Sequence, residues 1–356
     1  MAPRHARTAV RAALCIAVAL PVIAVGVPPV SGAGDGTRGK VASFGVTRPG
    51  TPLAVQSADF SRVRRVGANH VAIDVWWDAD SKTANSVHPG AISAGDQELA
   101  SAIDAARAAN LDVIFTPKLW CPLCQAVNGY TWRGRLQPSN RAQFFASYRA
   151  MVARYADLAR AHGVNIFFIG SEMTELQSST DEWRAVAREA RARFPGKIAY
   201  EVNWDVFDQV KFWDSVDIAG LSAYFPLSDA AHPSVADLKA AWHDSQAAKW
   251  LHHDWFENAE DLHKMSRKPV LFGELGYPSS QYGASAPYGE DPTKLADAEV
   301  QRAAYQAALE TFEPQSWWMG VIWWEWFVSG GGPTDNSYSP RDKPAERFLT
   351  GWYHRS

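Results

Sequence analysis

Two glutamates stand where a carboxyl group could do covalent chemistry. Glu172 lies in "FFIGSEMTEL" and Glu274 in "VLFGELGYPS", each directly after an apolar run and a small residue, Ser171 and Gly273. Two carboxyl groups facing each other are the apparatus of glycoside hydrolysis. One keeps a proton for the leaving oxygen, and the other attacks the anomeric carbon. The residues alone do not say which glutamate takes which part. Each could instead cap a helix or pair with an arginine, as structural ion pairs do. The choice rests on whether the fold brings together residues about a hundred positions apart.

The elements that would position them are legible as runs. Eight apolar stretches read as strands: "KVASFGVT" from Lys40, "HVAIDVWW" from His70, "LDVIFTPKLW" from Leu111, "VNIFFIGSE" from Val164, "KIAYEVNW" from Lys197, "VDIAGLSAYF" from Val216, "PVLFGELGY" from Pro269 and "MGVIWWEW" from Met319. They are near-continuous and not strictly alternating, the pattern of strands covered on both faces in a parallel sheet. Between them lie amphipathic stretches such as "DQELASAIDAARAAN", "RAQFFASYRAMVARYADLARAHG", "TDEWRAVAREARARF" and "DAEVQRAAYQAALETF", with Gly163 and Pro195-Gly196 as stops.

Eight strands alternating with helices predict a single α/β domain, a (β/α)8 TIM barrel of parallel strands over residues 34–356. Reacting groups in that fold belong at the C-terminal ends of the strands. Glu172 follows the fourth run and Glu274 the seventh, so barrel closure would set them across one mouth. A doubly wound sheet is the structural rival, but "FGVTRPGTP" is not the glycine-rich phosphate loop that follows its first strand.

Composition narrows the class further. The formal net charge is −3, so no global field favours nucleic acid or an anionic membrane. Residues 1–33 read as a signal peptide: Arg4, Arg7 and Arg11, then "AALCIAVALPVIAVGV", then "SGA" at Ser31 to Ala33. A secreted chain without stable membrane insertion is expected, because the apolar run is too short and Pro-interrupted to span comfortably. An uncleaved anchor is the rival.

Beyond that segment only Cys121 and Cys124 remain, in "WCPLCQ". Export permits a disulfide between them. Free thiols and half of a zinc site are the alternatives, though zinc would want two more ligands. Neither HExxH nor GxSxG is present, and the ten histidines are scattered. No metal or cofactor is expected, and a monomer is.

The aromatic content is high: 16 Trp, 16 Phe and 11 Tyr. It is densest in "VIWWEWFVSG", Val321 to Gly330, where the rings either pack a buried strand or end in a floor under a polar ligand. Glutamates after the fourth and seventh strands resemble those of glycoside hydrolase clan A, a group of retaining enzymes. Within the clan the chain looks like family 113, chiefly β-1,4-mannanases. The matching pieces are "PKLW" and "TWRG" after the third strand, "IGSEM" after the fourth, "SAYFPL" after the sixth, "GELGYPS" after the seventh and "WWEW" at the eighth. They span nearly the whole chain after the signal segment. One departure stands out: many clan members carry Asn where this chain has Ser171, and a small hydroxyl residue there fits family 113.

The resemblance implies Glu172 as general acid/base, Glu274 as nucleophile, Tyr224 as a donor to Glu274 and Trp324 as a platform under the sugar. Tyr224 could equally be an ordinary half-buried tyrosine. Strand alternation forbids Trp323 and Trp324 both pointing inward, and the register is open by one. Glu325 is not read as catalytic. Trp76, Lys118, Trp120, Trp132, Arg133, Asn203 and Trp204 are further candidates for substrate contact, with packing or ion pairing as the alternative at each. The expected partner is an oligo- or polysaccharide with β-1,4 links, β-mannan first. Cellulose, xylan or galactan cleaved by the same mechanism, and a non-catalytic carbohydrate-binding barrel, are the rivals.

Overall fold

Period-two alternation decides which side chains meet inside the sheet. Along β5 (Ile166–Ser171), Ile166 and Phe168 join one apolar cluster while Phe167 and Ile169 join another. The computed structural model describes residues 39–46, 51–124 and 132–355. The expected signal segment, residues 1–33, lies outside the described residues.

The other strands are β1 (Val41–Phe44), β2 (His70–Asp78), β3 (His88–Pro89), β4 (Asp112–Trp120), β6 (Lys197–Asn203), β7 (Ile218–Ser222), β8 (Val270–Leu275) and β9 (Trp318–Trp323). They form one nine-stranded, mostly parallel, curled sheet in the order β1-β9-β8-β7-β6-β5-β4-β2-β3. Each of the eight apolar runs supplies one parallel strand. The ninth, β3, is the difference from expectation. It is a two-residue antiparallel return pairing His88 and Pro89 with Asp78 and Trp77, too short to carry a sequence period. At the other edge the Val46 amide donates to Ala72 O at 3.1 Å, and the Asn69 amide donates to Ala42 O at 3.0 Å.

The helices are α1 (Leu53–Ser57), α2 (Phe60–Val66), α3 (Asp96–Ala108), α4 (Arg141–Ala161), α5 (Thr180–Arg193), α6 (Val235–Ala241), α7 (Trp255–Ser266), α8 (Ala298–Phe312) and α9 (Pro344–Tyr353). Three of the longer ones, α4, α7 and α8, start on side-chain caps. Asn140 accepts from the Gln143 amide before α4, Asp254 from that of Glu257 before α7, and Asp297 from those of Glu299 and Val300 before α8. These caps satisfy amides that no helical carbonyl can reach. No helix among the described residues is long and apolar enough to cross a membrane.

Two apolar layers follow from this arrangement. A small inner cluster gathers Val41, Ala72, Ile114, Ile166, Phe168, Ala199, Ile218, Leu271 and Ile322, one or two from each long strand. The larger cluster fills the space between strand backs and helices. Trp323 belongs to the outer layer. Its ring stacks on Tyr305 at 4.0 Å, and its Nε1 donates to Tyr353 Oη at 2.7 Å.

Candidate active site

Counting on from the inner apolar layer in steps of two leads to charge. Asp74 lies two residues beyond Ala72 on β2, Lys118 four beyond Ile114 on β4, and Glu201 two beyond Ala199 on β6. All three are buried. Lys118 Nζ lies 2.9 Å from Asp74 Oδ2 and 2.5 Å from Glu274 Oε1. Burying charges without partners is costly, so this layer holds together only as a set.

Glu172 follows β5 directly, in the left-handed region at φ 53°, with its amide donating to Glu201 O at 2.9 Å. Its Oε2 accepts from Trp132 Nε1 at 2.8 Å and lies 3.1 Å from Arg133 Nη2. Glu274 sits near the end of β8, beside a register shift between Phe272 and Leu275. Its Oε2 accepts from Tyr224 Oη at 3.0 Å, while Oε1 takes Lys118. The same Arg133 Nη2 is 3.8 Å from Glu274 Oε1. One guanidinium nitrogen therefore reaches both carboxylates, which limits their nearest oxygens to about 7 Å apart, a range that includes carboxylate pairs with or without room for an intervening water.

The electrostatics separate the carboxyl groups. Burial alone would raise the pKa of Glu274, but the Lys118 ammonium and the Arg133 guanidinium outweigh it and hold the group below its ordinary value. Asp74 goes the other way, because burial exceeds the pull of Lys118. Glu201 is pushed up to about 8 by burial and by the neighbouring Glu274. Burial and the Glu274 charge also lift Tyr224 far above the ordinary phenol value, so it stays a donor. Despite burial, Lys118 is held above its ordinary value by Asp74 and Glu274.

The remaining expected site residues divide into two groups. Trp76, Trp324, Trp132 and Arg133 stand around the carboxylates. Lys118 Nζ lies 4.8 Å from the Trp324 ring centroid and 5.7 Å from that of Trp76, and Trp120 meets Trp76 edge-on at 6.3 Å. Trp324 is half-buried and Trp120 is 37% exposed, so both present surface. Asn203 ends β6 two residues beyond Glu201, and Trp204 does not join the group around the carboxylates. Asn203 Nδ2 donates to Asp205 Oδ1 at 2.8 Å, and Trp204 is packed among Phe225, Trp250 and Trp255. Trp77 turns outward, its Nε1 bonded to Tyr155 Oη at 2.6 Å.

Cys121 and Cys124 are joined by a disulfide with Cα atoms 5.2 Å apart. The Cys124 carbonyl accepts from the Trp132 amide at 2.9 Å, which ties the bridge to the tryptophan that holds Glu172. No group of His, Cys, Asp and Glu among the described residues is arranged to hold a metal ion. Asp74 and Glu201 were missed as site residues because attention to strand ends passes over strand interiors. An acidic residue inside an otherwise apolar parallel strand was the available signal, in "HVAIDVWW" and "KIAYEVNW".

Known structures share this fold. A GH113 β-1,4-mannanase superposes with a TM-score of 0.72 at 23% identity, over 89% of this chain and 99% of the other. The GH113 β-mannanase of Alicyclobacillus acidocaldarius, solved in complex with ManMIm, does so at 0.72 and 24%, over 88% and 96%. A β-D-glucuronidase of Dictyoglomus thermophilum is more distant, at 0.57 and 13%, over 89% of this chain and 51% of the other. No curated protein matches the sequence. The model of Glycoside Hydrolase Family 113 matches residues 46–339, a span that takes in Glu172, Glu201 and Glu274, and the chain belongs to that family.

Proposed function

We propose that the protein is an exported, retaining β-1,4-mannanase in which Glu274 is the nucleophile and Glu172 the general acid/base. One observation carries this reading: Arg133 Nη2 contacts both carboxylates, at 3.1 and 3.8 Å, while Lys118 and Tyr224 take the two oxygens of Glu274 alone. A nucleophile must stay ionised, and Glu274 is the carboxylate held below its ordinary pKa. The two GH113 relatives described as β-mannanases support the choice of substrate. We read the sheet as an eight-stranded barrel closed between β1 and β2, supported by the Val46–Ala72 and Asn69–Ala42 hydrogen bonds.

The chemistry balances with these residues alone. Glu172 gives its proton to the glycosidic oxygen as a Glu274 oxygen bonds to the anomeric carbon and the aglycone leaves as an alcohol. Glu172, now ionised, takes a proton from water. That oxygen attacks the same carbon and frees Glu274. Glu172 Oε2 already accepts from Trp132 and lies 3.1 Å from the Arg133 guanidinium, so the transferable proton belongs on Oε1. Trp324 offers the C–H-rich face of a sugar its flat surface.

Digestion of mannan, cellulose and xylan with NMR detection of the first anomer formed tests the reading. Release of β-configured mannooligosaccharides supports it. An α-anomer first would remove Glu274 from the nucleophile's role, and no release from mannan would overturn the substrate. Export predicts a mature N-terminus near Gly34 by mass spectrometry of secreted material. An intact Met1 in soluble intracellular protein rejects it.

A further inference from the structure

Between the two reactive glutamates stands a third carboxyl group that the hydrolytic scheme does not use. Glu201 points inward from β6 and is 2% exposed. Its Oε2 lies 2.5 Å from Ser171 Oγ. Its Oε1 has no hydrogen-bond partner among the described residues. That oxygen lies over Gly273, where a Cβ would come within 2.3 Å of it, so the residue before Glu274 must be glycine for Glu201 to fit. The charged groups that face Glu201 are Glu172 beyond β5, Glu274 of β8, Lys118 of β4 and Arg133 of the turn before α4.

Two physical arguments bear on its proton. A buried oxygen without a partner is far more costly on an anion than on a neutral carboxyl group. The second argument is charge balance. Asp74, Glu172, Glu201 and Glu274 face two cations, Lys118 and Arg133. A proton on Glu172, as the glycosidase reading requires, still leaves one carboxylate in excess. Lys118 holds both Asp74 and Glu274, whereas the hydrogen bond of Glu201 is to a hydroxyl. The second proton belongs on Glu201.

Ser171 Oγ donates to Glu201 Oε2 at 2.5 Å, so as a neutral acid Glu201 carries its proton on Oε1. The same hydroxyl accepts from Arg133 Nη2 at 2.8 Å, and Arg133 Nε donates to Ser171 O at 2.9 Å. Arg133 is thereby fixed at the point from which it reaches Glu172. We propose that Glu201 is a positioning residue, a carboxylic acid that keeps its proton at neutral pH and, by accepting from Ser171, sets the arm through which Arg133 holds Glu172. This inference rests on the glycosidase reading and adds a group to it. The upward displacement of Glu201 by burial and by Glu274 agrees with it.

The test pairs a spectroscopic readout with kinetics, using the full chain. In protein labelled with 13C at the glutamate δ-carbons, one resonance absent from Glu201→Gln should titrate with a midpoint near 8. Glu201→Gln keeps an acceptor for Ser171, so its kcat on β-mannan at pH 6.5 should stay within about threefold of wild type, whereas Glu201→Ala should lose about tenfold in kcat with little change in KM. Should the alanine variant fail to melt cooperatively, the resonance and the glutamine variant carry the test. A midpoint at or below 4.5, the ordinary value, overturns the proposal. So does a glutamine variant as impaired as the alanine one, or an alanine variant as active as wild type. If wild type cleaves no β-glycan, the glycosidase reading falls instead, and the resonance still decides where the proton sits.

Discussion

Lys118 Nζ stands 2.5 Å from Oε1 of Glu274, and the same ammonium is 2.9 Å from Asp74 Oδ2. The lysine is 4% exposed and is held between these two carboxylates. Its position on β4 is fixed by the strand period that points Ile114 inward below it. A cation locked between two carboxylates, one of them the proposed nucleophile, keeps that nucleophile ionised although it is buried.

Replacing that cation with an apolar side chain should therefore act on both stability and pH dependence. Lys118→Met removes the cation between the buried Asp74 and Glu274, a loss of about 3–5 kcal/mol by analogy with other broken buried pairs. With Lys118 gone, Arg133 and the Tyr224 hydroxyl remain to oppose the burial of Glu274, and its pKa rises. The acid limb of kcat/KM should move to higher pH, because more of the nucleophile is protonated at a given pH. Chemical denaturation and a pH–rate profile on a soluble mannooligosaccharide measure the two effects. An unmoved acid limb would remove Lys118 from this role.

Glu201 makes an opposite prediction for stability. Its folded pKa of about 8 lies above the ordinary 4.5, so between those values the folded state holds a proton that the unfolded state has released. Stability contributed through this group is present below pH 4.5, is lost progressively as pH rises, and levels off above about 8. Glutamine does not titrate. The stability of wild type minus that of Glu201→Gln should fall across that window, read from thermal melts at several pH values. Glu274, whose pKa is depressed, contributes stability above its ordinary value that is lost as pH falls through the depressed one. A flat difference for Glu201→Gln would mean that the group ionises equally in both states.

Much of this architecture was legible in the sequence, for a definite reason. Strands covered on both faces are continuous apolar runs, so each parallel strand from β1 to β9 announced itself in composition. The long helices α3, α4, α5 and α8 showed their period, and the short ones such as α1, α2 and α6 did not, since five to seven residues cannot display one. Glu172 and Glu274 were visible because they close their runs. Glu201 and Asp74 lie within theirs, where a lone acidic residue in an apolar run marks a buried charge but not the partners a curled sheet brings to it. The placement of Trp204 also needed three dimensions, since its neighbours Phe225, Trp250 and Trp255 come from later segments.

The disulfide offers a test at the edge of the site. A bridge with a two-residue gap closes a very small loop, for which chain entropy predicts about 2 kcal/mol. Its larger effect should be local, because the Cys124 carbonyl anchors the Trp132 amide and Trp132 Nε1 donates to Glu172. The double variant Cys121→Ser, Cys124→Ser should melt a few degrees lower and lose more in kcat than in KM. Thiol titration of denatured, unreduced wild type should find almost no free thiol. Two titratable thiols would reject the bridge, and an unchanged kcat would separate it from the site.

The division of labour between the two glutamates is the most exposed prediction. Glu274→Ala should abolish turnover of natural substrates, because no glycosyl-enzyme bond can form. Azide could occupy the space left by the carboxylate and produce a glycosyl azide of inverted, α configuration. Glu172→Ala should behave differently. An aryl glycoside with a good leaving group needs little protonation, so its cleavage should persist while mannan hydrolysis falls by about 10²–10⁴-fold, the usual worth of a general acid. The glycosyl-enzyme then accumulates for want of a base, and azide, which needs none, should release it with retained, β configuration. NMR of the azide products distinguishes the two outcomes. If the variants exchange these phenotypes, the roles are reversed. If both keep full activity on β-mannan, the contacts of Arg133 with the two carboxylates, at 3.1 and 3.8 Å, are structural ion pairs and nothing more.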